Sequence, residues 1–437
     1  MASAEWKYMD SLRPPTYVCL RRRCAADGSL TPMAIDGRVD KQEWAHVPWS
    51  EPFVDIEGPQ RRPKEFPLTR VKMMYDDERF YVAAELQESQ IWGTITEKNS
   101  TMYHENDFEV FLNPDGSRHN YYELELNCLN TIWELLLRKP YKDGHSIVNP
   151  YNLDSLHTAV FIDGVTNSPE TQSNKWTVEL SLDLEELVQF DRRRGRPTGA
   201  GDVWRVNFSR VQYQLEVVLN SDTQQLQFAK VPETKEDNIV WAPTGVIDIH
   251  RPEKWGFVFF SSQDELSLGQ HELKTAGEAF LDEQIAIERV LDAIYYDQRV
   301  FHETHDAFAG NMRLLYPSAA LIPHPELFKQ FGLSPPTIVC ESEASGSSSR
   351  PKPLGRRRSY MAQLDTDDDD EGTTPEERFL SPRSRQIQQR EAQGLFKNYV
   401  VTLKGATQEW NIAHDGRLWL TPSPVNECVD DVEVCDL

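Results

Sequence analysis

The chain has 437 residues, with 46 Lys and Arg against 70 Asp and Glu, a formal net charge of −24 and a pI near 4.9. A surface of that sign repels phosphate backbones and acidic lipid headgroups, which argues against nucleic-acid and membrane partners. Hydrophobic residues make up 39% and aromatic residues 10%, enough for a packed core, and the length suits two or three domains.

Residues 1–16 read as a polar leader. Their sequence, MASAEWKYMDSLRPPT, has no apolar run of the secretory type, and the chain holds no stretch of about 18 apolar residues. Both features lead to the expectation of a cytoplasmic protein. The six cysteines (Cys19, Cys24, Cys128, Cys340, Cys428 and Cys435) form no Cys-x-x-Cys pair, so free thiols are expected. Cys19 with Cys24 and Cys428 with Cys435 are the pairs near enough in sequence to bridge.

Residues 17–262 read as a ladder of short strands. Tyr17–Leu20 is a first edge strand. Ile35-Asp-Gly-Arg-Val-Asp is a turn, and Glu43–Trp49 a short helical or irregular piece. Val71–Tyr75 and Phe80–Leu86 flank the hairpin connection Asp76–Arg79. Phe108–Leu112, Tyr121–Asn127, Ile132–Arg138, Thr158–Ile162, Trp176–Leu182, Val203–Val211 and Trp255–Phe260 continue the series, with Leu184–Phe190 as one or two helical turns. Many short strands with turns between them predict an antiparallel all-β sandwich. Residues 263–340 read as a helical segment, because Leu281, Ile287, Val290, Leu291, Ile294 and Phe301 recur at spacings of three and four. Residues 341–394 read as a disordered linker rich in Ser, with an acidic run at Asp367–Asp370 and phosphorylation-type motifs at Ser359 and Ser381. Residues 395–437 read as a terminal β-hairpin and tail.

The strand phases divide the side chains into two sets. Phe108, Val110, Leu112, Tyr122, Leu124, Leu126, Val178, Leu180, Val206 and Phe208 share the inward phase and are the expected core. The opposite phase presents Glu109, Tyr121, Glu123, Glu125 and Asn127, with Thr177, Glu179, Arg205, Asn207 and Ser209 on other strands. Carboxylates and amides pair with sugar hydroxyls, and aromatic faces pack on sugar C–H faces. The bland alternative is a solvated sheet face with cross-strand ion pairs. Glu123 and Glu125, two residues apart on one strand, also have the separation of a glycosidase carboxyl pair, but any alternating strand supplies it. No phosphate-binding loop, dinucleotide fingerprint or nucleophile elbow is present. His104, Glu105 and Asp107 crowd one loop without a second His. Asp36, Asp40, Asp76 and Asp77 are oxygen donors of the calcium type in turns, without the EF-hand spacing. Most of the tryptophans are expected in the core, with Trp92, Trp241 and Trp255 in loops.

Taken together, Ile35-Asp-Gly-Arg-Val-Asp-Lys-Gln-Glu-Trp44 with Pro48-Trp49, Val71–Glu85, Glu105–Leu112, Asn120–Asn127, Trp176–Ser181, Trp204–Arg210 and Trp255–Phe260 resemble, in their order, the family 9 carbohydrate-binding modules. The resemblance covers about residues 17–262. It implies a β-sandwich that binds polysaccharides or oligosaccharides without catalysis, linked to polysaccharide breakdown, with bound calcium in some members. It also implies two aromatics clamping the sugar. Tyr103 falls near one of these positions and Trp255 near the other. The expected ligand-binding residues are therefore Tyr103, Glu109, Glu123, Glu125, Asn127 and Trp255, with no catalytic residue assigned and no metal ligands assigned. Calcium is left open, as is a protein partner through the C-terminal helix. The rival readings are an interaction scaffold that has lost sugar binding, and a hydrolase of O-glycosyl bonds.

Overall fold

The computed structural model describes residues 4–22, 32–144, 146–191, 198–261, 270–340, 382–404 and 408–422. They fall into two compact units: Ser3–Asp292 with Asp415–Trp419, and Ala293–His414 with the segments at the two chain ends. The larger part of the segment read as a disordered linker, 341–381, lies outside the described residues, together with Ser359 and Ser381.

In the first unit, α1 (Ala4–Ser11) precedes β1 (Thr16–Arg21), β2 (Val54–Asp55), β3 (Thr69–Tyr75), β4 (Arg79–Gln87), β5 (Asp107–Asn113), β6 (Tyr121–Asn127), β7 (Ile132–Lys139) and β8 (Ser146–Val148). β9 (His157–Asp163), β10 (Lys175–Asp183), α2 (Leu184–Leu187), β11 (Val203–Gln212), β12 (Leu215–Leu219), β13 (Leu226–Lys230), β14 (Asp237–Val240) and β15 (Gly256–Phe260) follow. One face of the sandwich runs β8-β7-β6-β5-β11-β15 and the other β1-β3-β4-β10-β9. β14 pairs with β11, and β2 with β14. The pairs are antiparallel except around β1, which lies parallel to β15 through residues 16–19 and to β3 through residues 20–21. The expected edge strand is thus the seam between the two faces. Its alternation does not betray this, because a short apolar run fits an edge or a center equally well.

The core is the inward phase. All ten expected residues join one buried cluster with Trp176, Leu182, Trp204, Val258 and Phe260. Phe108 and Phe208 stack with ring centers 5.9 Å apart. A slip of one residue would turn every one of these side chains outward, so burial of the set fixes the register. The segment 4–11, read as part of a polar leader, is helical. Trp6, Met9 and Leu12 are buried, and the Tyr8 hydroxyl donates to the Glu57 carbonyl at 2.7 Å. Three apolar residues within seven positions suffice to dock a short helix, although the segment as a whole is polar.

The outward face of β10 is not solvated either. Glu179 is fully buried and accepts hydrogen bonds from the Asp36 and Gly37 amides at 2.8 and 3.2 Å and from the Trp44 indole at 2.8 Å, with Lys41 paired to it. One carboxylate therefore ties down the whole segment Ile35–Trp44, under which Val39, Trp44, Val47, Met74, Tyr81 and Ala83 cluster. Gly37 has φ +82°, and a Cβ there would meet the backbone of Val160 and Phe161 at 2.6 Å. Gly37→Ala is expected to lose about 1–3 kcal/mol of stability through this strain, read as a lower midpoint in urea unfolding. A midpoint equal to wild type would show that the segment moves away without cost. Asp36 and Asp76 act as turn carboxylates: each accepts from the amide two residues on, Arg38 at 3.0 Å and Glu78 at 3.0 Å.

α3 (Gln270–His305) contains the boundary between the units. Within the first unit its early part is held by charge: Glu288 and Asp292 flank Arg118, and Arg289 meets Asp10 at 2.6 Å. Of the expected helical apolar positions, Leu281, Ile287, Val290, Leu291 and Ile294 are buried and Phe301 is half-buried. The second unit continues with β16 (Phe308–Ala309), α4 (Met312–Leu315), α5 (Pro325–Phe331), β17 (Thr337–Val339), α6 (Pro382–Ala392), β18 (Leu395–Phe396), β19 (Val400–Lys404) and β20 (Gln408–Ala413), and β21 (Leu418–Pro422) contains the other boundary, after Trp419. β19 pairs antiparallel with both β17 and β20, so the terminal hairpin expected from sequence becomes part of a four-stranded sheet, β17-β19-β20-β21. α6 occupies the last part of the segment read as disordered: Gln386, Ile387, Arg390 and Glu391 on this helix, with Leu395 and Phe396, line a small cleft. No helix among the described residues is long and apolar enough to cross a membrane.

Candidate functional site

The outward phase of β5, β6, β7 and β11 builds the site. Cross-strand register places Ser209, Glu109, Glu125 and Trp133 in one row. Asn207, Phe111, Glu123 and Leu135 form the next row, and Val211, Asp107 and Asn127 the row on the other side. These strands carry carboxylates where a half-buried sheet would carry mixed polar residues. The face is also covered. Met102, Phe111, Tyr121, Trp133, Leu135, Leu137 and Trp255 form a second apolar cluster around it. The carboxylates thus sit in a concavity of about 210 Å³, lined by Tyr103, Glu109, Glu123, Glu125, Trp133, Tyr141, Ser209, Glu236, Asp248 and His250 among others.

Four of the six expected ligand residues, Tyr103, Glu109, Glu123 and Glu125, line this one concavity. Tyr103 stands at its rim with 46% of its surface exposed, its ring center 6.1 Å from that of Trp133. Its backbone amide donates to Glu125 Oε2 at 3.1 Å, so the stacking residue and the carboxylate are positioned together. The other two residues lie elsewhere. Asn127 is fully buried, and its side chain donates to the Ile95 carbonyl and to Glu105 while accepting from the Leu129 and Thr131 amides. All its hydrogen-bonding capacity is spent on holding the loops at the strand end. Trp255 is also fully buried; its indole donates to the Ile249 carbonyl at 2.7 Å and its ring meets Tyr121 edge-on at 4.9 Å. It supports the wall and offers no face to a ligand. Trp241 is likewise buried in the main core.

The expected ligand set left out Tyr141, His250, Trp133 and Ser209, although Ser209 already stood on the expected polar phase. Trp133 and Ser209 follow from strand phase once the pairing is known. Tyr141 and His250 come from irregular segments, which carry no periodic signal. Tyr141 is 43% exposed and its ring center lies 4.5 Å from the His250 ring.

The electrostatics are one-sided. Burial pushes the Glu109 carboxyl up to about 7. Burial, then the neighboring Glu109 charge, pushes Glu123 up to about 8. Asp107 and Glu125 are held well above the usual carboxylate range by burial and by the same neighbor. His250 lies 3.8 Å from Glu123, but burial drives its pKa down to about 4, so at neutral pH it carries no compensating charge. The floor is a cluster of buried carboxyl groups that accept and, where protonated, donate hydrogen bonds, with aromatic surface at the rim. Such a floor can receive hydroxyl or ammonium donors, or a cation.

Residues 35–199 match the family described as carbohydrate family 9 binding domain-like. No curated protein matches the chain. Among solved structures, a putative carbohydrate-binding protein from Bacteroides uniformis is 14% identical, with a TM-score of 0.40, over 57% of this chain and 100% of its own. A family 9 carbohydrate-binding module from Caldicellulosiruptor kristjanssonii, solved with cellotriose, is 14% identical with a TM-score of 0.34, over 58% of this chain and 97% of its own. The glucose complex of such a module from that organism gives 15% and 0.36, over 58% and 100%. The matched segment begins at the Ile35 turn that Glu179 anchors and includes β5 and β6, which carry the carboxylate floor. Through residues 35–199, then, this chain carries a domain similar to the carbohydrate family 9 binding domains.

Proposed function

We propose that this chain binds a saccharide, without catalysis, in the concavity over β5, β6 and β7. The observation that carries the reading is the convergence of Glu109, Glu123 and Glu125 beneath the exposed ring of Tyr103. Acceptors fixed by a sheet face take sugar hydroxyls, and the ring covers a sugar C–H face. A concavity of about 210 Å³ is below the roughly 300–1,000 Å³ of drug-sized sites, which suits one ring of an oligosaccharide rather than a long buried chain. The family match over 35–199 supports the same ligand class. Participation in polysaccharide breakdown belongs to this proposal as its cellular consequence.

Titration calorimetry against gluco- and xylo-oligosaccharides tests it. Wild type is expected to bind in the micromolar to millimolar range. Tyr103→Ala and Glu123→Gln should each weaken binding by about 1–3 kcal/mol, because a buried polar partner is then left unmet or a stacked face lost. Heat that is absent at millimolar ligand would turn the reading toward an interaction scaffold. Release of reducing sugar would instead make the neighboring carboxyls a hydrolytic pair.

A further inference from the structure

No lysine or arginine among the described residues lines the concavity, although Glu109, Glu123, Glu125, Glu236 and Asp248 all do. The last two have cations nearby: Arg251 meets Asp248 at 2.8 Å, and Lys230 lies in the field of Glu236. Glu109, Glu123 and Glu125 form no ion pair with a lysine or arginine among the described residues, and His250, 3.8 Å from Glu123, is neutral at neutral pH. We propose that the saccharide bound here carries a free amino group, whose ammonium meets Glu109 and Glu125. This inference rests on the saccharide reading of the concavity and names the class of sugar. A hydroxyl both donates and accepts, and gains little from a site of one sign. An ammonium only donates, through three N–H bonds and with a full charge. Three acceptors about 2.8 Å from one ammonium nitrogen at tetrahedral angles stand about 4.6 Å apart. One oxygen from each of Asp107, Glu109 and Glu125 lies within 4.8 Å of the others, so the cluster has the dimensions of an ammonium cradle.

Two further observations point to a charged donor independently of this crowding. Asp107 is fully buried, and its Oδ1 accepts from the Val211 amide at 3.3 Å, whereas its Oδ2 has no hydrogen-bond partner. Buried polar atoms are rarely left so, and this acceptor belongs to the cluster onto which the concavity opens through Glu109 and Glu125. The rim is the other observation. Tyr103 is 46% exposed with its ring center 6.1 Å from that of Trp133, and Tyr141 is 43% exposed. Burial first, then the charges of Glu123 and Glu125, push the Tyr141 phenol up to about 12, so this rim residue shares the field of the same carboxylates. Aromatic faces beside carboxylates attract a cation as well as sugar C–H groups. Glu109 and Glu125 also stand directly opposite each other on β5 and β6, an arrangement that like charges disfavor and an ammonium between them relieves. Its approach draws carboxyls that burial keeps partly protonated into their charged form.

The test titrates the full chain by calorimetry, with chelator throughout, against cellobiose and two derivatives of it. In these an ammonium or an acetamide replaces the hydroxyl next to the anomeric carbon of each ring, so the three disaccharides differ only there. The titrations run at about pH 6.5, where a sugar amine is charged, since it titrates near an α-amino group at about 7.7–8.0. Wild type is expected to bind the amino disaccharide about tenfold more tightly than cellobiose or better, because charge-assisted hydrogen bonds exceed neutral ones by that much. The acetylated sugar should bind no more tightly than cellobiose. Glu109→Gln and Glu125→Gln should each shrink the ratio of the two affinities by about threefold or more, with unaltered circular dichroism as the check on the fold. The wild-type series decides without the variants. The proposal is overturned if wild type binds the amino disaccharide no more tightly than cellobiose, if the acetylated sugar shares the gain, or if neither variant changes the ratio. Butylammonium binding as tightly as the amino disaccharide overturns it too, since the sugar would then contribute nothing. Equal binding of the amino disaccharide and cellobiose leaves the saccharide reading standing, whereas absence of binding by all three overturns both.

Discussion

Arg118→Ala is expected to destabilize the first unit by about 3–5 kcal/mol, the cost of stranding buried charge. Arg118 sits in the turn between β5 and β6 with φ +68° and is almost wholly buried. Its guanidinium pairs with Asp292, in part at 3.1 Å, and with Glu288 at 3.0 Å, while Glu288 also lies 3.4 Å from Arg205. Removing the cation leaves two buried carboxylates of α3 close together, with Arg205 beside Glu288 and Lys254 interacting with Asp292. Burial already pushes the Asp292 carboxyl up to about 6 even with Arg118 beside it. Urea unfolding followed by tryptophan fluorescence measures the loss. Combining Arg118→Leu with Glu288→Gln and Asp292→Asn should restore much of the stability, because the charges are then removed together. A single variant as stable as wild type would mean that the early part of α3 contributes little to the unit.

Leu124→Ala should cost about 2–5 kcal/mol through lost transfer energy and the cavity left behind. Leu124 is 1% exposed, lies opposite Val110 on β5, and belongs to the main core cluster. Leu124→Met, which conserves volume, should cost less than about 1.5 kcal/mol. The contrast separates packing from any general sensitivity of β6. If both variants cost little, the core would have to relax around this position far more freely than close-packed interiors do. Leu124 also separates Glu123 from Glu125 along the strand, so its burial aims both carboxylates at the concavity. A softened core should therefore weaken saccharide binding as well as stability, and the two readouts can be compared on the same protein.

Strand phase was legible in the sequence because a strand alternates its side chains with period two regardless of what surrounds it. That alternation alone assigned Phe108, Val110, Leu124 and Val206 to the core, and set Glu109, Glu123 and Glu125 on one opposite face. The motif order from Ile35 to Trp204 likewise pointed to the family whose description matches residues 35–199, since the turns and strands that carry it are local. Three things were decided only by tertiary structure. β1 became the seam between the faces because its parallel partners are distant in sequence, and no local pattern encodes a pairing. Glu179 became a buried anchor and the carboxylate face a concavity because other segments cover them, among them Ile35–Trp44 over β10 and the loop that carries His250 beside Glu123. Trp255 and Asn127 left the expected site for the same reason: alternation fixes the direction in which a side chain leaves the sheet, and whether it meets solvent, ligand or another loop depends on chain that folds back from far away.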